Sequence, residues 1–222
     1  MTNDFPSLPS RLLGMFTSPG VVFEKLAQRP VWVGAILVAA ALVGLSTILV
    51  PAELFEATVR EQLQNSGQPM PDSLSAVGLF AKIAGTAAAV IFGPLMTALM
   101  AGIVTLIFVF AMGGSGTYKQ YLAVTTHAFF IPALSALALL PLKISAGDLQ
   151  LRFSIGTFLP FLEDGWLAAG LGWLDLFGLW GWVLVALGVS KIDPKRSWGS
   201  AASIILTLVV ALTMGSALIF AR

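Results

Sequence analysis

Few side chains in this sequence could do chemistry inside an apolar medium, and they stand far apart. In the stretch "WLAAGLGWLDLFGLWGW", Asp175 is the one ionisable group between Asp164 and Lys191. His127 is the single histidine and also lies in an apolar run; Lys82 stands at the edge of another. A carboxylate, an imidazole and an ammonium group could move a proton or line an ion path. An ionisable group inside a spanning segment is costly, about 2.5–3.5 kcal/mol at a helix centre on insertion scales, so each is a functional candidate by default. The alternative for Asp175 is a structural carboxylate, paired with Lys82 or capping a loop amide. For His127 it is a neutral imidazole, hydrogen-bonded to a backbone carbonyl or to a hydroxyl such as that of Thr126.

Other chemistry has no support. No GxxxxGK[ST], GxSxG or HExxH is present, and "GGSG" at 113–116 reads as a turn. There are no cysteines, so thiolate metal sites and disulfides are excluded. One histidine excludes a multi-histidine metal site. We therefore expect no catalytic residues, no metal and no cofactor. The net charge of +1 gives no reason to expect a nucleic-acid partner.

The elements that carry these groups are membrane elements. Only 10% of the residues are charged and the mean hydropathy is +0.91, where a soluble domain carries about 25% charged residues. Charge-poor runs of about 20 residues mark spanning helices. They predict five, at about 31–50, 80–112, 120–141, 167–189 and 198–220. The second is longer than one crossing needs; it contains Gly93-Pro94, which could kink or break it. We read one long helix ending before Gly113-Gly114. The expected fold is all-α, a polytopic integral membrane bundle of five helices with short amphipathic interfacial helices. Residues 1–30 form a cytoplasmic lead-in and 31–222 the bundle.

Lys and Arg in the short loops favour a cytoplasmic N-terminus and an outside C-terminus. Ser18-Pro19 starts a helix that Pro30 ends, with Val22, Phe23 and Leu26 on one face. It either lies on the membrane surface or packs on the bundle. After Pro51, Phe55, Val59 and Leu63 mark a second amphipathic helix. Trp166, Trp173, Trp180, Trp182 and Trp198 read as interface and packing aromatics.

Close helix approach in lipid uses small residues. The second span has Ala81, Gly85, Ala89, Gly93, Thr97, Ala101 and Thr105 at every fourth position; the fifth has Gly199, Ser203, Thr207, Ala211 and Gly215. Both ridges are expected to be buried against neighbours, within the chain or in a homo-oligomer.

Three stretches carry a family resemblance: "FTSPGVVFEKLAQRPVWVGAILV" into the first span, "GTYKQYLAVTTHAFFIPAL" into the third, and "LGWLDLFGLWGWVLVALGVSK" with "SWGSAASIIL" in the fourth and fifth. In these the chain resembles the Yip domain family, the Ypt/Rab-interacting five-span membrane proteins. The resemblance implies a five-helix membrane domain with a cytoplasmic N-terminus. In eukaryotic members it also implies residence in the Golgi and endoplasmic reticulum and Rab GTPase binding. This chain has no long N-terminal region and no DLYGP motif, which counts against a Rab-type GTPase partner. Its compact form is similar to prokaryotic members, so a bacterial inner membrane is the expected location. The expected role is a non-enzymatic scaffold or interaction module, with lipid, other membrane proteins or itself as partners. The alternative is a small channel or proton-coupled transporter using Asp175 and His127.

Overall fold

The structure is a computed structural model, and it describes residues 5–221. Among them all regular structure is helical. The helices are α1 (Leu8–Thr17), α2 (Pro19–Gln28), α3 (Val33–Ile48), α4 (Ala52–Asn65), α5 (Leu74–Thr105), α6 (Tyr118–Ala128), α7 (Phe130–Ala138), α8 (Leu140–Ala146), α9 (Trp166–Trp173), α10 (Leu176–Ile192) and α11 (Trp198–Phe220). A π-helical segment, Leu106–Ala111, continues α5.

Among the described residues, three helical stretches are long and apolar enough to cross a membrane: Leu74–Ala111, Tyr118–Ala146 and Trp198–Phe220. α3 and α4 qualify only together and are bent by 80° at their junction, while α10 is a shorter apolar helix. The five apolar regions expected from the sequence are therefore all helical, but only the second and fifth run as single uninterrupted helical stretches long enough to cross.

Pro94 lies inside α5 and does not end it. Proline removes one i→i−4 hydrogen bond and crowds the preceding turn, a loss that membrane helices accommodate. The second span is thus one helix, with no break at Gly93-Pro94. It widens into the π turn near its end, where the Met112 N–H donates to the Ile107 carbonyl, five residues back.

The third span is interrupted at Phe129 and Leu139. Pro132 falls in the first turn of α7 and Pro141 in that of α8, positions where a missing N–H costs no intrahelical bond. The fourth span departs most from expectation. The sequence predicts one helix over 167–189, but α9 ends at Trp173 and α10 starts at Leu176.

The chain forms two compact units. The first takes the residues up to Ile36, Met96–Pro132 and those from Arg152 on. Its core joins Met15, Phe23 and Leu26 of the N-terminal arm (α1–α2) to Phe108, Val124 and Val189. The lead-in therefore packs on the bundle, the second of its two sequence readings. Close approach of α6 and α10 rests on Gly188: a Cβ there would run into the Val124 side chain. Gly170 plays a similar part between α9 and α11, where a Cβ would lie 2.8 Å from Met214.

The second unit holds Leu37–Leu95 and Ala133–Leu151. Gly44 sets the α3–α5 approach there, since a Cβ would lie 2.6 Å from Val90. Ser46, Thr47, Phe55 and Lys143 line a cleft of about 210 Å³.

Candidate functional site

Asp175 sits in the helix break. Its backbone is extended (φ −68°, ψ 132°), and its Oδ1 accepts the Gly178 N–H at 2.7 Å, so it is the N-cap of α10. An aspartate before an apolar run is a favourable helix start, because its side chain satisfies one of the four first-turn amides. The freed backbone around the break is paired with the loop ahead of α9. The Ile155 N–H donates to the Leu174 carbonyl at 3.0 Å, and the Leu176 N–H donates to the Phe153 carbonyl at 2.8 Å. Non-helical backbone at membrane depth survives only where protein satisfies it, and residues 153–155 do so here. Beside the break lies a cleft of about 160 Å³ lined by Trp173, Asp175, Gly178, Trp182, Val209 and Thr213.

His127 is fully buried on α6. Its Nδ1 lies 2.8 Å from the Ala123 carbonyl oxygen and its Nε2 lies 3.2 Å from Arg11 Nε. The guanidinium is donor-only, so Nε2 accepts and Nδ1 donates: the ring is neutral and both nitrogens are engaged. This matches the carbonyl-bonded histidine read from sequence and adds a partner that reading lacked.

Arg11 is 8% exposed. Besides His127 it donates through Nη1 to the Pro6 carbonyl at 2.6 Å, and its guanidinium stands 5.1 Å from the centre of the Phe5 ring. Arg29 approaches the same ring at 5.0 Å. Burial first, then the Arg29 charge, lowers the Arg11 pKa from its ordinary value. Two more contacts tie the arm down. Gln120 caps its own helix by accepting the Thr117 N–H at 2.7 Å while donating to the Ala27 carbonyl at 2.6 Å. Lys191 pairs with Glu24 at 2.6 Å.

A second polar cluster closes the same end. Asp193 is fully buried; its Oδ1 accepts from Ser115 Oγ at 3.1 Å and from the Lys195 N–H at 3.2 Å. Tyr121 donates its hydroxyl to the Ser115 carbonyl at 2.9 Å. Gly114 lies so close that a Cβ there would be 2.5 Å from Asp193 Oδ2 and 2.6 Å from the Phe108 oxygen. The "GGSG" turn is thus seated on a carboxylate. Asp193 Oδ2 and Arg196 Nε, both buried, have no hydrogen-bond partner.

Within the first unit, Asp175 and His127 are therefore not one site, and each has its own local partners. Lys82 lies in α5 within the second unit, half-buried, with Thr86 Oγ1 bonded to its carbonyl. Of the two small-residue ridges, the one on α11 differs from expectation. Gly199, Ser203, Thr207, Ala211 and Gly215 are exposed, whereas α11 buries Ala201, Ile205 and Ala217. On α5, Ala101 and Thr105 are buried, Ala81, Gly85, Ala89 and Thr97 are half-buried, and Gly93 is exposed. A Cβ at Gly85, Gly93, Gly199 or Gly215 would meet nothing within 4 Å. Burial against neighbours in the chain does not hold for the α11 ridge, because its neighbours are reached through the opposite face. Sequence reasoning passed over Arg11, Asp193 and Arg196. Each reads as an ordinary loop or lead-in charge until its distant partner is known.

Broken and continuous apolar helices, with polar groups spent on caps and docking, define a polytopic helical membrane protein. The chain belongs to the Yip1 domain family, whose pattern matches residues 13–220. It is similar to Membrane protein YknW of Bacillus subtilis (strain 168), 29% identical over 218 residues, covering 94% of this chain and 90% of that one. No solved structure matches it.

Proposed function

We propose that this protein is a non-enzymatic membrane scaffold, an interaction module of the bacterial plasma membrane with its N-terminus in the cytoplasm and its C-terminus outside. One observation carries the reading: the intramembrane polar groups are spent on structure. Asp175 caps α10, and both ring nitrogens of His127 are bonded to Arg11 and Ala123. The exposed ridge of Gly199, Ser203 and Gly215 on α11 is the surface we assign to packing against another membrane protein or a second copy; on α5 Gly93 is exposed in the same way, beside the half-buried Gly85 and Ala89. Lys82 is the proposed ion partner of Asp175. Cross-linking in native membranes followed by purification tests the scaffold reading. Stable protein partners lost on Gly199→Leu with Gly215→Leu are expected; a monomer without partners would sink it.

The broken fourth span favours a second reading, a small channel or proton-coupled transporter. Discontinuous helices build the midplane sites of many transporters, and the cleft at Asp175 lies at such a break. Ion or proton flux into proteoliposomes, abolished by Asp175→Asn, would establish transport in place of the scaffold.

A further inference from the structure

Four segments meet at one end of the first unit. Gln120 ties the start of α6 to the end of α2, Lys191 ties the end of α10 to α2, and Ser115 joins the 113–116 turn to Asp193. Across residues 5–32, 112–119 and 191–198 there are seven Lys and Arg side chains and two carboxylates. Both carboxylates have partners in the fold, Glu24 with Lys191 and Asp193 with Ser115. Among the described residues the excess at this end is therefore cationic. Arg11 and Arg29 share the Phe5 ring at 5.1 and 5.0 Å, and among the described residues the acceptors of Arg11 are an imidazole nitrogen and a carbonyl, with no carboxylate. The arm also turns apolar side chains outward. Leu13 is 67% exposed and Val21 56% exposed, and Val33 at the start of α3 is exposed as well.

We propose that this end of the molecule binds anionic phospholipid, with Arg29 as the cation that meets the phosphate and Arg11 behind it. A phosphate at Arg29 relieves the repulsion between two guanidiniums, while Leu13, Val21 and Val33 enter the acyl boundary beside it. That apolar face selects lipid over a soluble anion, which would leave it in water. It is continuous with the first spanning segment, so the arm already lies where headgroups are. Juxtamembrane cations gain about 1 kcal/mol each from an anionic surface. The proposal goes beyond the scaffold reading and holds equally for a transporter.

The test uses the full-length chain in neutral detergent, titrated with phosphatidylglycerol, phosphatidylcholine or inorganic phosphate. Thermal unfolding and native mass spectrometry are the readouts. Phosphatidylglycerol should be retained and should raise Tm; phosphatidylcholine and inorganic phosphate should do neither. Arg29→Gln, an exposed change, should weaken phosphatidylglycerol binding about fivefold, the factor expected for one surface cation, while Arg60→Gln in α4 leaves it unchanged. Equal retention of the two lipids would overturn the proposal. So would an inorganic phosphate effect equal to that of the lipid, or equal responses of Arg29→Gln and Arg60→Gln.

Discussion

Arg11 Nε donates to His127 Nε2 at 3.2 Å across 116 residues of sequence, so the N-terminal arm reaches the single histidine inside the third span. A buried guanidinium paired with a neutral ring is worth most when both members are present.

His127→Ala removes the acceptor and strands a buried charged donor. It should cost about 1–3 kcal/mol. Arg11→Ala with His127→Ala should cost less than the sum of the single changes, with a coupling above about 0.5 kcal/mol. Denaturation of all three variants in detergent measures it, and strict additivity would refute the pair. Glu24→Gln is the contrast: Glu24 and Lys191 are solvent-accessible, and such pairs are worth about 0–1 kcal/mol.

Asp175 should behave as a cap. Asp175→Ala should destabilise by about 0.5–2 kcal/mol, while Asp175→Asn, an equally good N-cap, keeps most of that share. Whatever Asn fails to restore measures the charge. A cycle with Lys82→Ala then tests the proposed ion pair, which a coupling indistinguishable from zero rejects.

The glycines that matter for folding are those facing a neighbour. Gly188→Ala should cost about 1–3 kcal/mol, because the added methyl overpacks against Val124. Gly215→Ala meets nothing within 4 Å and should be neutral or stabilising, since alanine is the better helix former by about 1 kcal/mol. If the two rank the other way in thermal unfolding, the assignment of buried faces is wrong.

The turn at 113–116 should depend on Asp193. Gly114→Ala places a methyl against Asp193 Oδ2 and the Phe108 carbonyl, and Asp193→Ala leaves Ser115 and the Lys195 amide without their acceptor. Each should destabilise by about 1–3 kcal/mol, and the double variant should fall short of their sum. Additive losses would mean that the turn and the carboxylate act separately.

Apolar runs showed where helices form, because hydropathy is a local property. Pro132 and Pro141 stand just after the breaks at Phe129 and Leu139, yet the even hydropathy of 120–141 reads as one span. Asp175 carried a legible signal, a capping residue ahead of an apolar run, but the unbroken hydropathy of 167–189 hid it. The break also needs Phe153–Ile155 to satisfy the backbone, and no local pattern shows that pairing. The α11 ridge failed for a different reason. Spacing by four shows that small residues share a face, while only tertiary structure shows whether that face has a neighbour. Gly188, alone in its turn, has one; the regular row on α11 has none in the chain. Arg11 and Asp193 were opaque for the same cause, since their partners lie far away in sequence.

The break at Asp175 also sets a length. α10 has 17 residues, which at about 1.5 Å per residue reach roughly 26 Å, short of a hydrocarbon layer of about 30 Å. α10 alone therefore falls short of a crossing, and the eight residues of α9 beyond the break are needed to complete it. The backbone pairing with residues 153–155 is what lets two short helices share that task, so the loop ahead of α9 is as much a part of the fourth apolar region as the helices themselves.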